Sequence, residues 1–314
     1  MKQRSESKKI LTATSAQLAI FLCFLLFAPR ANAEELKTGV YPPLIKINAT
    51  PPANVKTDII VQNQTDHNIT YYISLMPFKD SPKKNGEPFF DPALTNSYSD
   101  FFTRVKITDA GNEISEVELA PHQKKKLRLE ITLSKENNAR DYYFSVVFLS
   151  KNDLETPKTS STEIRSGVGT NVLLSVGPKD GTDGTINAFK TKKFINSGPV
   201  TFEMEVKNSS NSFIAPEGTI VIENMFGQKV GQVAIAPVNI LAYSERESYA
   251  VWNEKWLFGK YKTTLSLSLS PQGPVIIKSF TFFAFPLEAF LGIFLAILFL
   301  IWTIRQVKTK RSEV

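Results

Sequence analysis

The stretch Lys126–Leu133, KLRLEITL, puts Leu127, Leu129, Ile131 and Leu133 on one side of an extended chain and Arg128, Glu130 and Thr132 on the other. Successive side chains of a strand point to opposite faces, so this alternation marks a strand with one face in a core and one in water. The same period runs through Thr201–Lys207, TFEMEVK, where Phe202, Met204 and Val206 alternate with Glu203, Glu205 and Lys207. It returns in Thr264–Ser270, TLSLSLS, with Leu265, Leu267 and Leu269 set between serines.

Working outward, further short runs read as strands: LIKINA, TDIIVQN, TYYISLMPF, RVKITD, YYFSVVFLS, TNVLLSVG, TIVIENM and VIIKSFTFF. Between them lie turn-forming stretches such as NQTDHN, DAGNE, DGTDGT, NSGP, NSSN and SPQGP. No long amphipathic helical pattern interrupts the series. The expectation is an all-β chain of two immunoglobulin-like antiparallel β-sandwiches. Residues 34–150 form the first and 168–285 the second. The polar, Ser/Thr-rich stretch 151–167 links them, the alternative being a long loop inside one domain. Both halves contain a strand ending in Asn, a polar turn and another strand, in DIIVQNQTDHNITYYISL and FEMEVKNSSNSFIAPEGTIVI, the pattern of one module used twice or of two generic β-hairpins.

The two ends read differently. Leu287–Ile304 is apolar except for Glu288 and Thr303, and as a helix it would be roughly 27 Å long, near the thickness of a bilayer's hydrocarbon core. Pro286 stands just before it, where a missing N–H costs nothing. Arg305, Lys308, Lys310 and Arg311 follow and favour the cytoplasmic side, and Phe282, Phe283, Phe285 and Trp302 are placed for the two interfaces. The expectation is a transmembrane helix over 286–304 and a basic cytoplasmic tail over 305–314. At the other end, MKQRSESKKI, the apolar AQLAIFLCFLLFA and the small-x-small Ala31–Ala33 read as a signal peptide over residues 1–33, cut before Glu34. An uncleaved first membrane helix is the alternative. Together these features predict a single-pass type I protein of the cell membrane with its ectodomain outside.

Charge and chemistry narrow the function. The chain carries a net +7, but all of it lies in the signal and the tail, and Glu34–Ile304 is neutral. That removes the electrostatic case for nucleic acid. The single cysteine, Cys23, lies in the signal, which leaves no disulfide, thiol nucleophile or thiolate metal site. The two histidines, His67 and His122, sit in polar turns without a nucleophile-elbow sequence, and they are too few for a zinc site. Asp180 and Asp183 lack the spacing of an EF-hand loop, and two consecutive turns explain them more simply than calcium. No carboxylate pair is marked for glycoside cleavage. The reading is a non-enzyme without cofactor or metal. Asn48, Asn63, Asn68 and Asn208 begin N-x-Ser/Thr sequons.

One strand breaks the half-polar rule. In DYYFSVVFLS, Tyr142, Phe144, Val146 and Phe148 form one apolar face and Tyr143, Val147 and Leu149 a second. The second face either packs on the neighbouring domain or is an exposed patch for a partner. Trp256, beside Trp252 in VWNEKWLFG, is a further contact candidate or an edge residue near the membrane.

The first half resembles the immunoglobulin-like N-terminal domain of periplasmic pilus chaperones, through YPPLIKINATPPANVKTDIIVQNQTDHNITYYISL, VELAPHQKKKLRLEITL with its Leu119–Pro121 turn, and RDYYFSVVF. It departs from them at Asn138–Asp141, where those chaperones carry Gly, and no Arg/Lys pair for a pilin carboxylate can be placed. The full layout of signal, two sandwiches, one helix and a basic tail is similar to the WxL-interacting surface proteins of Gram-positive bacteria. That resemblance implies a bacterial, membrane-anchored surface protein binding or scaffolding another cell-surface protein or wall glycan. The chaperone resemblance implies the alternative, a tethered assembly chaperone that lends a strand edge.

Overall fold

The computed structural model describes residues 38–135, 139–151, 167–178, 181–271 and 273–311, with the side chains of residues 289 and 306–311 outside that description. The expected signal peptide, most of the expected linker and Asp180 lie outside the described residues.

The first sandwich contains β1 (Thr38–Tyr41), β2 (Leu44–Ala49), β3 (Ala53–Asn63), β4 (Ile69–Pro77), the short pair β5 (Lys79–Asp80) and β6 (Pro88–Phe89), α1 (Pro92–Phe102), β7 (Val105–Asp109), β8 (Asn112–Glu113), β9 (Glu116–Leu119), β10 (Lys124–Leu133), β11 (Arg140–Ser150) and β12 (Gly167–Val176). The second contains β13 (Gly184–Lys190), β14 (Phe194–Ile195), β15 (Val200–Asn208), β16 (Glu217–Glu223), β17 (Lys229–Ala234), β18 (Glu245–Trp252), β19 (Gly259–Ser268) and β20 (Val275–Ala284), followed by α2 (Leu287–Arg311).

In the first sandwich, sheet β1-β3-β10-β7-β8 packs on sheet β2-β12-β11-β4-β9. In the second, β13-β15-β18 packs on β14-β20-β19-β16-β17. The alternation in the sequence is what builds these layers. Leu127, Leu129, Ile131 and Leu133 of β10 are buried in the first core, and Val200, Phe202, Met204 and Val206 of β15 in the second.

The structure corrects one boundary. β12, read from sequence as the first strand of the second domain, pairs antiparallel with β11 and parallel with β2, so it belongs to the first sandwich. A strand's own pattern says that it is half or fully buried, but not in which sheet. The stretch between the sandwiches is therefore Gly177–Asp183.

The sequence also gave no sign of α1 at the level of periodicity, yet its start is written in Asp91-Pro92. Asp91 Oδ1 accepts from the Ala93 N–H at 3.0 Å, and Pro92 occupies the first turn. Tyr98 and Phe101 then bury their rings in the first core, with Phe101 stacked 3.9 Å from Tyr142. Asp91→Ala should cost about 1 kcal/mol of stability through loss of this cap, readable as a shifted denaturant midpoint without a changed slope.

One side chain at the end of a central strand plays the same part in each sandwich. Asn63, at the end of β3, is fully buried; its Nδ2 donates to the carbonyls of His67 (2.7 Å), Leu119 (3.2 Å) and Ala120 (3.0 Å). Asn208, at the end of β15, donates in the same way to Ser212 (2.8 Å), Ile240 (3.2 Å) and Leu241 (2.8 Å). The Oδ1 of each accepts the N–H two residues on, from Thr65 and Ser210. Each lock faces a turn with a positive-φ residue, His122 (57°) in the first and Tyr243 (55°) in the second. Asn63 and Asn208 thus spend their amides on the fold, although both begin sequons.

α2 begins at Leu287, directly after Pro286, and runs for 25 residues. Among the described residues no helix is long and apolar enough to cross a membrane.

Candidate functional site

β11 explains its two apolar faces by having two neighbours. Tyr142, Phe144, Val146 and Phe148 face the first core. On the opposite face Tyr143 joins Phe78 and Leu173 of the first sandwich and Phe213 and Leu241 of the second in a separate buried cluster. Its ring stacks on Phe78, with centroids 6.2 Å apart. Its hydroxyl donates to Asp141 Oδ2 at 2.7 Å and accepts from the Ala242 N–H at 3.1 Å. The same Asp141 oxygen accepts from the Phe213 N–H at 2.6 Å. Burial, and next the Asp141 carboxylate, push the Tyr143 phenol well above its usual pKa, so it stays a neutral donor.

A second clamp joins the β5–β6 loop to the second sandwich. Lys84 Nζ lies 2.8 Å from Glu205 and 2.6 Å from Glu245, and its carbonyl accepts the Glu247 N–H at 2.8 Å. The hydrogen bonds it donates to Glu205 and Glu245 hold the Lys84 ammonium above its ordinary pKa, and accepting one of them holds Glu205 below its own. A depressed carboxylate contributes stability that is present above its unfolded pKa and lost as pH falls through the folded one. The clamp should therefore hold at neutral pH and loosen as pH drops below the ordinary Glu value of 4.5. Amide exchange at Glu247 should accelerate in that window, and in Lys84→Met it should already be fast at pH 7.

Between these two contacts lies a cleft of about 310 Å³ lined by Leu44, Phe78, Asp80, Asn239 and Arg246. Arg246 Nη1 donates to the Asn239 carbonyl at 2.7 Å, while Arg246 Nε and Asn239 Oδ1 are buried without a partner among the described residues. Burial raises the Asp80 pKa, opposed first by the Ser81 N–H and then by the Arg246 charge. Its free donor and acceptor suit a neutral amide better than an ion.

The other feature of the first sandwich is an open sheet edge. β2 covers the outer side of β12 only from Asn171 onward. Asn171 donates to the Pro43 carbonyl at 3.0 Å and Gly177 to that of Ala49 at 2.9 Å, which sets the phase of the outward-facing amides. Gly169 and Gly167 carry the next two in that phase, and among the described residues no strand pairs with Gly167–Gly169 on this side, while Thr170 is buried with its hydroxyl donating to the Pro42 carbonyl. A methyl group on Gly167 would fall 2.7 Å from Leu149 Cδ2 and 2.9 Å from Val147 Cγ1, so both side chains lean across this bare backbone.

The candidate residues thus separate. Tyr143 is buried in the seam, Val147 is buried and Leu149 half-buried beside the open edge, and Trp256 is exposed at the far end of the second sandwich. Phe282, expected at a membrane interface, is instead in the second core, stacked on Tyr261 at 5.2 Å, because β20 alternates and Phe283 takes the outward place. Phe285 is half-buried, and Trp302 and Arg305 are exposed on α2. Lys308, Lys310 and Arg311 belong to α2, with side chains outside the described residues. His122 pairs with Asp66 at 2.8 Å in an exposed turn, and among the described residues no three His, Cys, Asp or Glu side chains gather around a metal position. Sequence reasoning missed Asp141, Lys84 and the two glycines of β12, because each gains its role from a partner distant in sequence.

No protein-family model and no curated protein matches this chain. Among solved structures it is similar to a chain of the chaperone–tip adhesin complex of CFA/I fimbriae biogenesis, at 12% identity over 78% of this chain and 98% of that one, with a TM-score of 0.39. It is similar to the class 5 fimbriae chaperone CfaA at 12% identity, over 77% and 98%, with a TM-score of 0.37. The E. coli chaperone DraB follows at 14% identity, over 79% and 96%, with a TM-score of 0.32. At such low overlap the site is read from this chain's own residues.

Proposed function

We propose that this chain is a non-enzymatic, membrane-anchored protein of the bacterial cell envelope that holds another envelope protein by letting an extended segment of it add to the open half of β12. The observation that carries this reading is the edge at Gly167–Gly169, which no strand among the described residues pairs on its outer side. A row of outward N–H and C=O groups at strand spacing matches a polypeptide backbone and offers little to a glycan. Two of its three residues are glycines, which keeps the edge itself slim, with Leu149 and Val147 beside it. The two contacts of the seam support the reading by fixing the first sandwich on the second. Anchoring by α2, with the sandwiches outside, is supported by the apolar run Leu287–Ile304, by the exposure of its side chains, and by the basic residues after it. The layout similar to WxL-interacting proteins agrees with a surface scaffold, and strand addition at an edge is equally how a tethered assembly chaperone would act.

The test is site-directed photo-crosslinking in intact envelopes. A photoreactive residue at Val168 should give a discrete adduct, and one at Glu118 on β9, the opposite edge of the same sheet, should not. The outward amides of Gly167 and Gly169 should become protected from exchange in the captured complex. Equal adducts from both edges, or protection elsewhere only, would remove the β12 edge from the binding site.

A further inference from the structure

The end of the second sandwich that leads into α2 collects exposed apolar side chains from three separate connections. The β14 segment brings Phe194, the β16–β17 turn brings Met225 and Phe226, and the β18–β19 connection brings Trp256 and Phe258. Phe226 and Trp256 are 79% and 67% exposed. These loops are neighbours. A methyl group on Gly259 would fall 2.2 Å from Met225 Cε, the Gly198 N–H donates to the Lys255 carbonyl at 3.2 Å, and Phe194 pairs with Phe283 across β14 and β20. Phe258 continues the group onto the helix, 5.5 Å from Phe285 and stacked 6.2 Å from Phe290.

Exposed lysines stand among them: Lys192, Lys193, Lys255 and Lys260, with Lys255 Nζ 5.9 Å from the Trp256 ring centroid. A polar hollow of about 480 Å³ reaches from Lys192 and Asn196 to Glu288 in the first turn of α2. Aromatic rings, aliphatic tips and lysines at one level beside an apolar helix are the composition that partitions into a bilayer's headgroup layer.

We infer that this rim is a membrane-contact surface, with Trp256, Phe258, Phe226 and Phe194 in the headgroup layer of the leaflet α2 enters and the lysines on anionic lipid. The inference rests on α2 being the anchor. The rim then acts as a second, independent contact that fixes the tilt of the second sandwich, which a single helix joined through Phe285 and Pro286 would not fix alone.

Tryptophan quenching in full-length protein, reconstituted in vesicles of phosphatidylcholine and phosphatidylglycerol, separates the two ideas. In Trp302→Phe the remaining tryptophans are the buried Trp252 and the rim's Trp256. Phospholipid brominated near the headgroup should reduce the emission of this variant, and Trp256→Phe/Trp302→Phe should show no such loss. Trp256→Phe alone reports Trp302 on the helix. Quenching of Trp302 without quenching of Trp256 would leave the anchor standing and overturn the rim. Quenching of Trp256 alone would support the rim and sink the anchor. Quenching of neither would overturn both. Replacing phosphatidylglycerol with phosphatidylcholine should weaken quenching of Trp256, and indifference to that change would overturn the part given to the lysines.

Discussion

Asn208→Ala should lower the stability of the second sandwich by about 3–5 kcal/mol, and Asn63→Ala that of the first by a similar amount, because each strands several buried backbone groups at about 1–3 kcal/mol apiece. The carbonyls of Ile240 and Leu241, or of Leu119, lose a donor that no water replaces at a buried position. The N–H of Ser210, or of Thr65, loses its acceptor. Asn→Asp keeps the volume and the Oδ1 acceptor but turns the donor into a second acceptor facing carbonyl oxygens, so it should be at least as damaging. Denaturant unfolding of the full chain in detergent, followed by circular dichroism and by tryptophan emission, checks this. All three tryptophans lie in the second sandwich or α2, and because the seam couples the sandwiches each alanine variant should lower the midpoint seen by both signals. An alanine variant with an unmoved midpoint would show that the locks do not hold their turns.

How far the sequence spoke depends on the range of the interaction. Period-two alternation is local, and it placed β10, β15 and β19 with their buried faces correct. The Pro286 stop and the apolar run placed the start of α2. The alternating Phe282–Phe283 pair carried the right signal too, and continuing the strand's period would have sent Phe282 inward. Sheet membership is not local: β12 and β14 lie beside their parallel neighbours only because the chain crosses between sheets after β1 and after β13. The Asn-terminated strands were visible as a repeated pattern, while their role needed the carbonyls of turns 33 and 57 residues away. The second apolar face of β11 was legible as a contact surface, and its occupant, Phe213 and Leu241, was not. The cleft, the Lys84 clamp and the open edge of β12 exist only where distant segments meet.

Tyr143→Glu is expected to uncouple the two sandwiches. The phenol sits in a dry seam, where its hydroxyl serves Asp141 and Ala242 at once. A glutamate would bring a second carboxylate beside Asp141 and leave the Ala242 N–H without its acceptor. Burying such a charge costs several kcal/mol unless the group takes up a proton. Neither main core contains Tyr143, so the loss should fall on the contact between the sandwiches and spare each core. Tyr143→Phe removes only the hydroxyl and should cost about 1–2 kcal/mol, the value of its two hydrogen bonds. In the parent protein, dichroism and tryptophan emission should report one coincident unfolding transition. In Tyr143→Glu the two should separate, with tryptophan following the second sandwich alone. Lowering pH should partly restore coincidence by protonating the introduced carboxyl, whose pKa burial and Asp141 both raise. The open edge of β12 lies on the same sheet but outside the seam, so crosslinking from Val168 should persist in Tyr143→Phe. If Tyr143→Glu unfolds like the parent in both signals, the seam does not couple the sandwiches, and the edge must be presented by the first sandwich without help from the second.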